Sequence, residues 1–282
     1  MFSPDRSIAT EPIIDIDSLK TYFPQYYSCL SEAELKPYKI ILCSNLMLHR
    51  EESLEKIILI YSSKLLIIKN INSNISKLKL TFEEINFVVN EGLPNSNCIT
   101  IDYKSELMER IFYDSNVNDL VNGLLVELRK KLIENSFCQE ENYSDFAFSD
   151  AEENKYLGAA IAKAAILEKA TIICSLKQKK VYNYPGLVFS KIMTPTHFTI
   201  MTRNEMVIFI ERTTSRANHN FSGDLIHVPL RALKNVTLEA TGKGMIMKYI
   251  FNSERKLKLF YENERTDQLL KIMSYINSLI SR

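Results

Sequence analysis

The sequence predicts a mainly-β α+β fold built twice, each half a curved seven-stranded antiparallel sheet closed by a C-terminal helix. Three observations carry this expectation. Short β-branched and aromatic runs broken by polar turns recur along the 282 residues, as half-buried strands require. Each set of runs is followed by apolar residues at three- and four-residue steps, which puts one buried stripe on a helix. The two sets also align with each other, and a missed repeat would miscall the fold.

Residues 1–34 read as a polar and aromatic N-terminal extension with a short helix near 18–27. The first module spans 35–134, with strands expected at 38–43, 57–61, 65–69, 78–82, 87–89, 98–103 and 108–113. Val117, Leu120, Val121, Leu124, Leu125, Leu128 and Leu132 then mark its helix, with Ser115 or Asn116 as N-cap. Residues 135–169 form an acidic linker and a connecting helix, for which Asp150 and Glu153 stand at capping-box spacing. The second module spans 170–282, with strands at 171–176, 197–202, 206–212, 225–229, 235–240, 245–251 and 257–261. Gly242-Lys243-Gly244 reads as a tight turn, because glycine tolerates positive φ. Leu269, Ile272, Met273, Ile276, Leu279 and Ile280 mark the closing helix, with Asn263 or Thr266 as N-cap.

The alignment is ungapped over the second part of each module. Phe112-Tyr113-Asp114 matches Phe260-Tyr261-Glu262 at an offset of 148. At that offset Leu80, Phe82, Ile85 and Val88 meet Val228, Leu230, Leu233 and Val236, and Leu124 and Leu128 meet Ile272 and Ile276. Near the front, Leu42-Cys43-Ser44 meets Ile173-Cys174-Ser175 at an offset of 131, so the second module carries extra residues, some of them in 213–223.

Composition excludes several classes. With 46% hydrophobic and 24% charged residues the chain buries real cores and is not of the disordered type. No run of eighteen apolar residues exists and the N-terminus has no apolar signal region, so neither a membrane span nor secretion is expected. Cys29, Cys43, Cys98, Cys138 and Cys174 are isolated and lack C-x-x-C spacing, which suits buried thiols in a reducing cytoplasm. Glycine-rich phosphate loops, zinc-ligand spacings and serine nucleophile elbows are absent, so no enzyme, no metal and no cofactor is expected. A spatial pairing of Cys174 with His197 is conceivable chemistry, but a buried structural thiol is the favoured reading. Lys and Arg outnumber Asp and Glu by 20 to 11 over 151–282 and are outnumbered 15 to 23 over 1–150, giving +9 and −8.

Seven short strands and one amphipathic helix, in that order, resemble a pleckstrin-homology (PH) domain. More narrowly, both modules resemble the bacterial PH-like family. Ile200-Met201-Thr202-Arg203-Asn204-Glu205-Met206-Val207-Ile208 looks like that family's hairpin turn, with the basic residue and asparagine exchanged. Ile60-Tyr61-Ser62-Ser63-Lys64-Leu65-Leu66-Ile67 is the weaker version in the first module. Val228 through Val236 and Leu80 through Val88 resemble its next strand-and-bend.

The resemblance implies a cytoplasmic, non-enzymatic adaptor that engages a protein or peptide partner, with a homo-oligomer as a further possibility. The alternative is peripheral membrane or anionic-lipid binding through the first hairpin of the second module. Its candidate binding residues are Lys177, Lys179, Lys180, Tyr182 and Tyr184, since lysines bond phosphate and tyrosines suit an interface. In the first module only His49 and Arg50 stand nearby. Nucleic acid is disfavoured: Lys248, Arg255, Lys256, Lys258 and Arg265 add charge, but no recognition element is legible.

Overall fold

A computed structural model describes residues 11–13, 15–43, 47–48, 51–52, 55–71, 74–92, 97–105, 107–113, 118–134, 148–149, 172–183, 191–212 and 223–281. The fold is mainly β, with antiparallel sheets and a C-terminal helix. It divides into two compact units. Unit 1 holds Met1–Ile85, Gly92–Thr100 and Glu109–Leu132; unit 2 holds Asn86–Glu91, Ile101–Met108 and Ile133–Arg282.

In unit 1, β1 (Glu11–Ile13) is followed by short helices Ile16–Tyr22 and Pro24–Tyr27 and by β2 (Lys39–Cys43). β3 (Met47–Leu48) and β4 (Glu51–Glu52) form a small hairpin, followed by β5 (Lys56–Ile60), β6 (Lys64–Ile71) and β7 (Asn74–Thr81). The sheet runs β1-β2-β5-β6-β7. The continuous apolar runs of β5 and β6 are buried on both faces, which is why alternation is weak there. One face packs on Leu19 and Tyr26, so residues assigned by sequence to an N-terminal extension sit in the core. Asp15 caps the first helix by accepting the Ser18 N–H at 2.7 Å, and Pro24 starts the second. A 3-10 turn, Phe82–Glu84, leads to β8 (Ile85–Gly92), β9 (Asn97–Tyr103), β10 (Leu107–Tyr113) and the helix Asn118–Ile133.

Unit 1 also buries a charge cluster. Lys56 and Lys69 face each other in the β5–β6 ladder, where like charges repel. The buried Glu109 carboxylate resolves this, one oxygen 2.7 Å from Lys56 and the other bonded to Lys69.

In unit 2, β11 (Phe148–Ser149) pairs in parallel with β12 (Ile172–Gln178). β13 (Val181–Asn183), β14 (Lys191–Thr194), β15 (His197–Thr202), β16 (Glu205–Glu211) and β17 (Gly223–Pro229) follow. The 3-10 turn Leu230–Ala232 then leads to β18 (Leu233–Thr241), β19 (Gly244–Phe251) and β20 (Lys256–Tyr261), a separate three-stranded sheet. The C-terminal helix Thr266–Ile280 buries Leu269, Ile272, Tyr275, Ile276 and Leu279 against this core.

Strands form where the sequence predicts them, with β1, β3, β4, β11, β13 and β14 in addition. The 148-residue offset holds for structure as well: it carries the turn at Phe82 onto that at Leu230, and the helix start Asn118 onto Thr266. Grouping does not follow the halves, however. β8 pairs with β17 in unit 2, Asp224 facing Glu91 and His227 facing Val88. Arg212 ties this seam, 3.0 Å from Glu91 and 2.7 Å from Asp224.

Three expectations are corrected or fall elsewhere. Neither Asn263 nor Thr266 is the N-cap of the closing helix; a 3-10 turn, Asn263–Arg265, runs straight into it and leaves Arg265 at that position. The glycines of Gly242-Lys243-Gly244 do not use positive φ. The helix expected at 151–169, the caps Ser115 and Asn116, and most of the linker lie outside the described residues.

Candidate functional site

The first hairpin of unit 2 is long and bent. Gln178 faces His197 at the end of one ladder and Val181 faces Thr194 at the start of the next, so one register runs through both. Lys179-Lys180 and Pro195-Thr196 occupy the bend between them. Proline removes a ladder donor and fixes φ, which favours a break at this point.

Side-chain amide bonds hold the bend in place. Gln178, wholly buried, accepts the Glu262 N–H at 2.9 Å and donates to the Glu262 carboxylate at 3.1 Å and the Lys179 carbonyl at 2.8 Å. Beside it lies His197, also buried, its Nδ1 3.3 Å from the Pro195 carbonyl and its ring edge-on to Tyr261 at 4.9 Å. Burial pushes the His197 pKa down to about 4, only partly offset by the Pro195 carbonyl, so the ring is neutral at pH 7. The Tyr261 hydroxyl is 2.9 Å from that of Thr199.

The predicted site residues separate at the bend. Lys177 lies before it, buried on β12, with Nζ 5.5 Å from the Phe198 ring centroid. Lys179 is exposed. Lys180 is half-buried, with Nζ 5.2 Å from the centroid of Tyr182, which is 43% exposed. Tyr184, like His49 and Arg50, falls outside the described residues.

Sequence reasoning missed a shallow pocket at this end of the sheets. It has a volume of about 340 Å³ and is lined by Met193, Thr241, Gly242, Lys243, Ile246 and Phe260. Met193 comes from β14, opposite the Val181-Tyr182 strand. Ile246 and Phe260 face each other in the β19–β20 ladder and belong to its outer face. Thr241 fixes the rim by donating to the Gly244 carbonyl at 2.8 Å. Lys248 and Lys258 are paired one step further along the same face. Glu239 bonds Lys248, which holds its carboxyl below the usual carboxylate range. The only sequence signal for this pocket was the Gly-Lys-Gly turn, read for its backbone and not for what it borders.

Cys174 faces Met201 while His197 faces Gln178 four positions away, so the two form no dyad, and burial pushes the Cys174 thiol up to about 12. Among the described residues no three His, Cys, Asp or Glu side chains converge on a metal site, and no helix is long and apolar enough to cross a membrane. The chain matches no protein-family model and no curated protein sequence.

Proposed function

We propose that this chain is a non-enzymatic binding protein of the PH-like class, and that unit 2 takes a short acidic segment of a partner protein at the bent hairpin. The pocket carries the proposal: its apolar floor of Met193, Ile246 and Phe260 suits one hydrophobic anchor. Lys179 and Lys180 at the bend, and Lys243 at the rim, favour acidic flanks. The repeated strand order and closing helix support the class. Affinity purification from the native host tests this with the wild type and Ile246→Glu side by side. A partner retained by the wild type and lost from the variant is the expected result; identical captures would reject the site.

A second reading, anionic-lipid binding, rests on the exposed Tyr182 with the Lys180 ammonium over its ring. Sedimentation with phosphatidylserine vesicles at low salt tests it. Binding lost on Lys179→Glu/Lys180→Glu supports it, and no binding of the wild type ends it.

A further inference from the structure

The two edges of the β18-β19-β20 sheet differ, and one side chain fixes which peptide groups face out of each. Asn277, in the last turn of the C-terminal helix, accepts the Val236 N–H through Oδ1 at 2.9 Å and donates to the Val236 carbonyl through Nδ2 at 2.8 Å. The Val236 peptide groups therefore point away from β19, and Val236–Tyr249 is a non-hydrogen-bonded pair. Tyr249 in turn directs its peptide groups to β20 and bonds Leu257. The Phe251 N–H, in the same phase, donates to the Arg255 carbonyl at 2.9 Å. Along β20, Leu257, Leu259 and Tyr261 thus bond β19, and the peptide groups of Lys256, Lys258 and Phe260 face outward.

Lys256, Lys258 and Phe260 also share the outer face, because side chains alternate along a strand. Both lysines are exposed and form no ion pair among the described residues. Their acidic neighbours are already engaged, Glu239 by Lys248 and Glu254 by Lys234. Phe260 is half-buried, lines the pocket and lays its ring where a Cβ on Gly244 would stand. Among the described residues β20 bonds only β19, and no side chain caps its edge as Asn277 caps β18.

We infer that β20 takes the partner's acidic segment as an added antiparallel strand, with an apolar residue against Phe260 and carboxylates against Lys258 and Lys256. This rests on the pocket reading for the segment's composition and adds how the segment is held. The outward peptide groups supply affinity, and alternate side chains supply specificity. Antiparallel pairing sets each carboxylate directly opposite its lysine. The segment then meets Phe260 first, Lys258 next and Lys256 last, so its pattern from the N-terminus is apolar-x-acidic-x-acidic. The lysines also exclude other strands. A neutral strand gains nothing from them, and a second copy of β20 would set lysine against lysine.

Peptide backbone chemistry tests the pairing without altering the protein. A fluorescein-labelled Thr-Leu-Thr-Glu-Thr-Glu-Thr peptide is titrated against the full chain by anisotropy at low salt. The leucine and both glutamates exchange bonds with β20, whereas the N–H of each intervening threonine faces away. N-methylation of the first glutamate should weaken binding about tenfold or more, and N-methylation of the threonine between the glutamates less than about twofold. Lys258→Glu should weaken binding roughly three- to tenfold, and a peptide with lysine for its first glutamate should restore it. Equal responses to the two methyl groups would overturn the inference, as would no binding to a chain whose circular dichroism shows it folded. Ile246→Glu reports on the pocket separately. Weaker binding there with equal methyl responses keeps the pocket and rejects the added strand; the reverse pattern keeps the strand and rejects the pocket.

Discussion

Gln178 and Glu262 are bonded twice, main-chain N–H to side-chain carbonyl at 2.9 Å and side-chain amide to carboxylate at 3.1 Å. This clamp joins the bent hairpin to the end of β20. Gln178→Ala leaves a main-chain donor and a carboxylate without their partner. The expected loss is about 1–3 kcal/mol. Urea titration should show a lower midpoint at an unchanged slope; a midpoint equal to wild type would show that the clamp is dispensable.

His197 makes stability depend on pH. Its folded pKa of about 4 lies below the ordinary value of 6.5, so between these pH values the unfolded chain binds the extra proton. Stability from this group is therefore complete above pH 6.5 and falls as pH drops toward 4, by on the order of 3 kcal/mol. His197→Phe keeps the ring against Tyr261 and removes the titration. Denaturation at pH 7.5 and 5.0 should separate the two proteins at the lower pH; parallel losses would assign the pH dependence elsewhere.

Glu109 neutralises two lysines, one of them buried. Glu109→Ala leaves the Lys56 ammonium buried beside Lys69, and should cost unit 1 about 3–5 kcal/mol. Lys69→Ala removes the more exposed partner and keeps the Lys56–Glu109 pair, so its cost should be well under half of that. Thermal melts ranking the two equally would contradict this geometry.

The two glycines of the β18–β19 turn differ sharply. A Cβ on Gly244 would collide with the Tyr261 carbonyl oxygen and the Phe260 ring, whereas one on Gly242 meets nothing within 4 Å. Gly244→Ala should destabilise by about 1–3 kcal/mol, as overpacking does. Gly242→Ala should be neutral or gain up to about 1 kcal/mol from a stiffer unfolded chain. Equal midpoints for the two variants would refute the close approach at Gly244.

Strand positions were legible because β-branched and aromatic runs announce them, and the offset of 148 because apolar positions repeat. The pairing of β8 with β17 was not, since edges join through peptide groups that every residue shares. Asn277, whose Oδ1 accepts the Val236 N–H at 2.9 Å and whose Nδ2 donates to the Val236 carbonyl at 2.8 Å, was hidden for a related reason: it stands next to the apolar stripe of its helix and reads as an ordinary polar neighbour. Lys177 was grouped with Lys179 and Lys180 because the three are close in sequence. β12 is buried almost throughout and the chain bends after Gln178, so alternation could not separate them. The pocket was illegible because Met193, Ile246 and Phe260 come from three strands, and each reads singly as core.

The seam between β8 and β17 joins residues 139 positions apart, as Val88 and His227 are. During synthesis at about 5–20 residues per second, β8 therefore waits roughly 7–30 s for its partner. Through that interval its edge is bare, and a chaperone or a neighbouring nascent chain has time to find it. The same seam decides where the polypeptide can be cut. A fragment starting after the acidic linker lacks Asn86–Glu91 and Ile101–Met108, and with them part of the unit it was meant to contain.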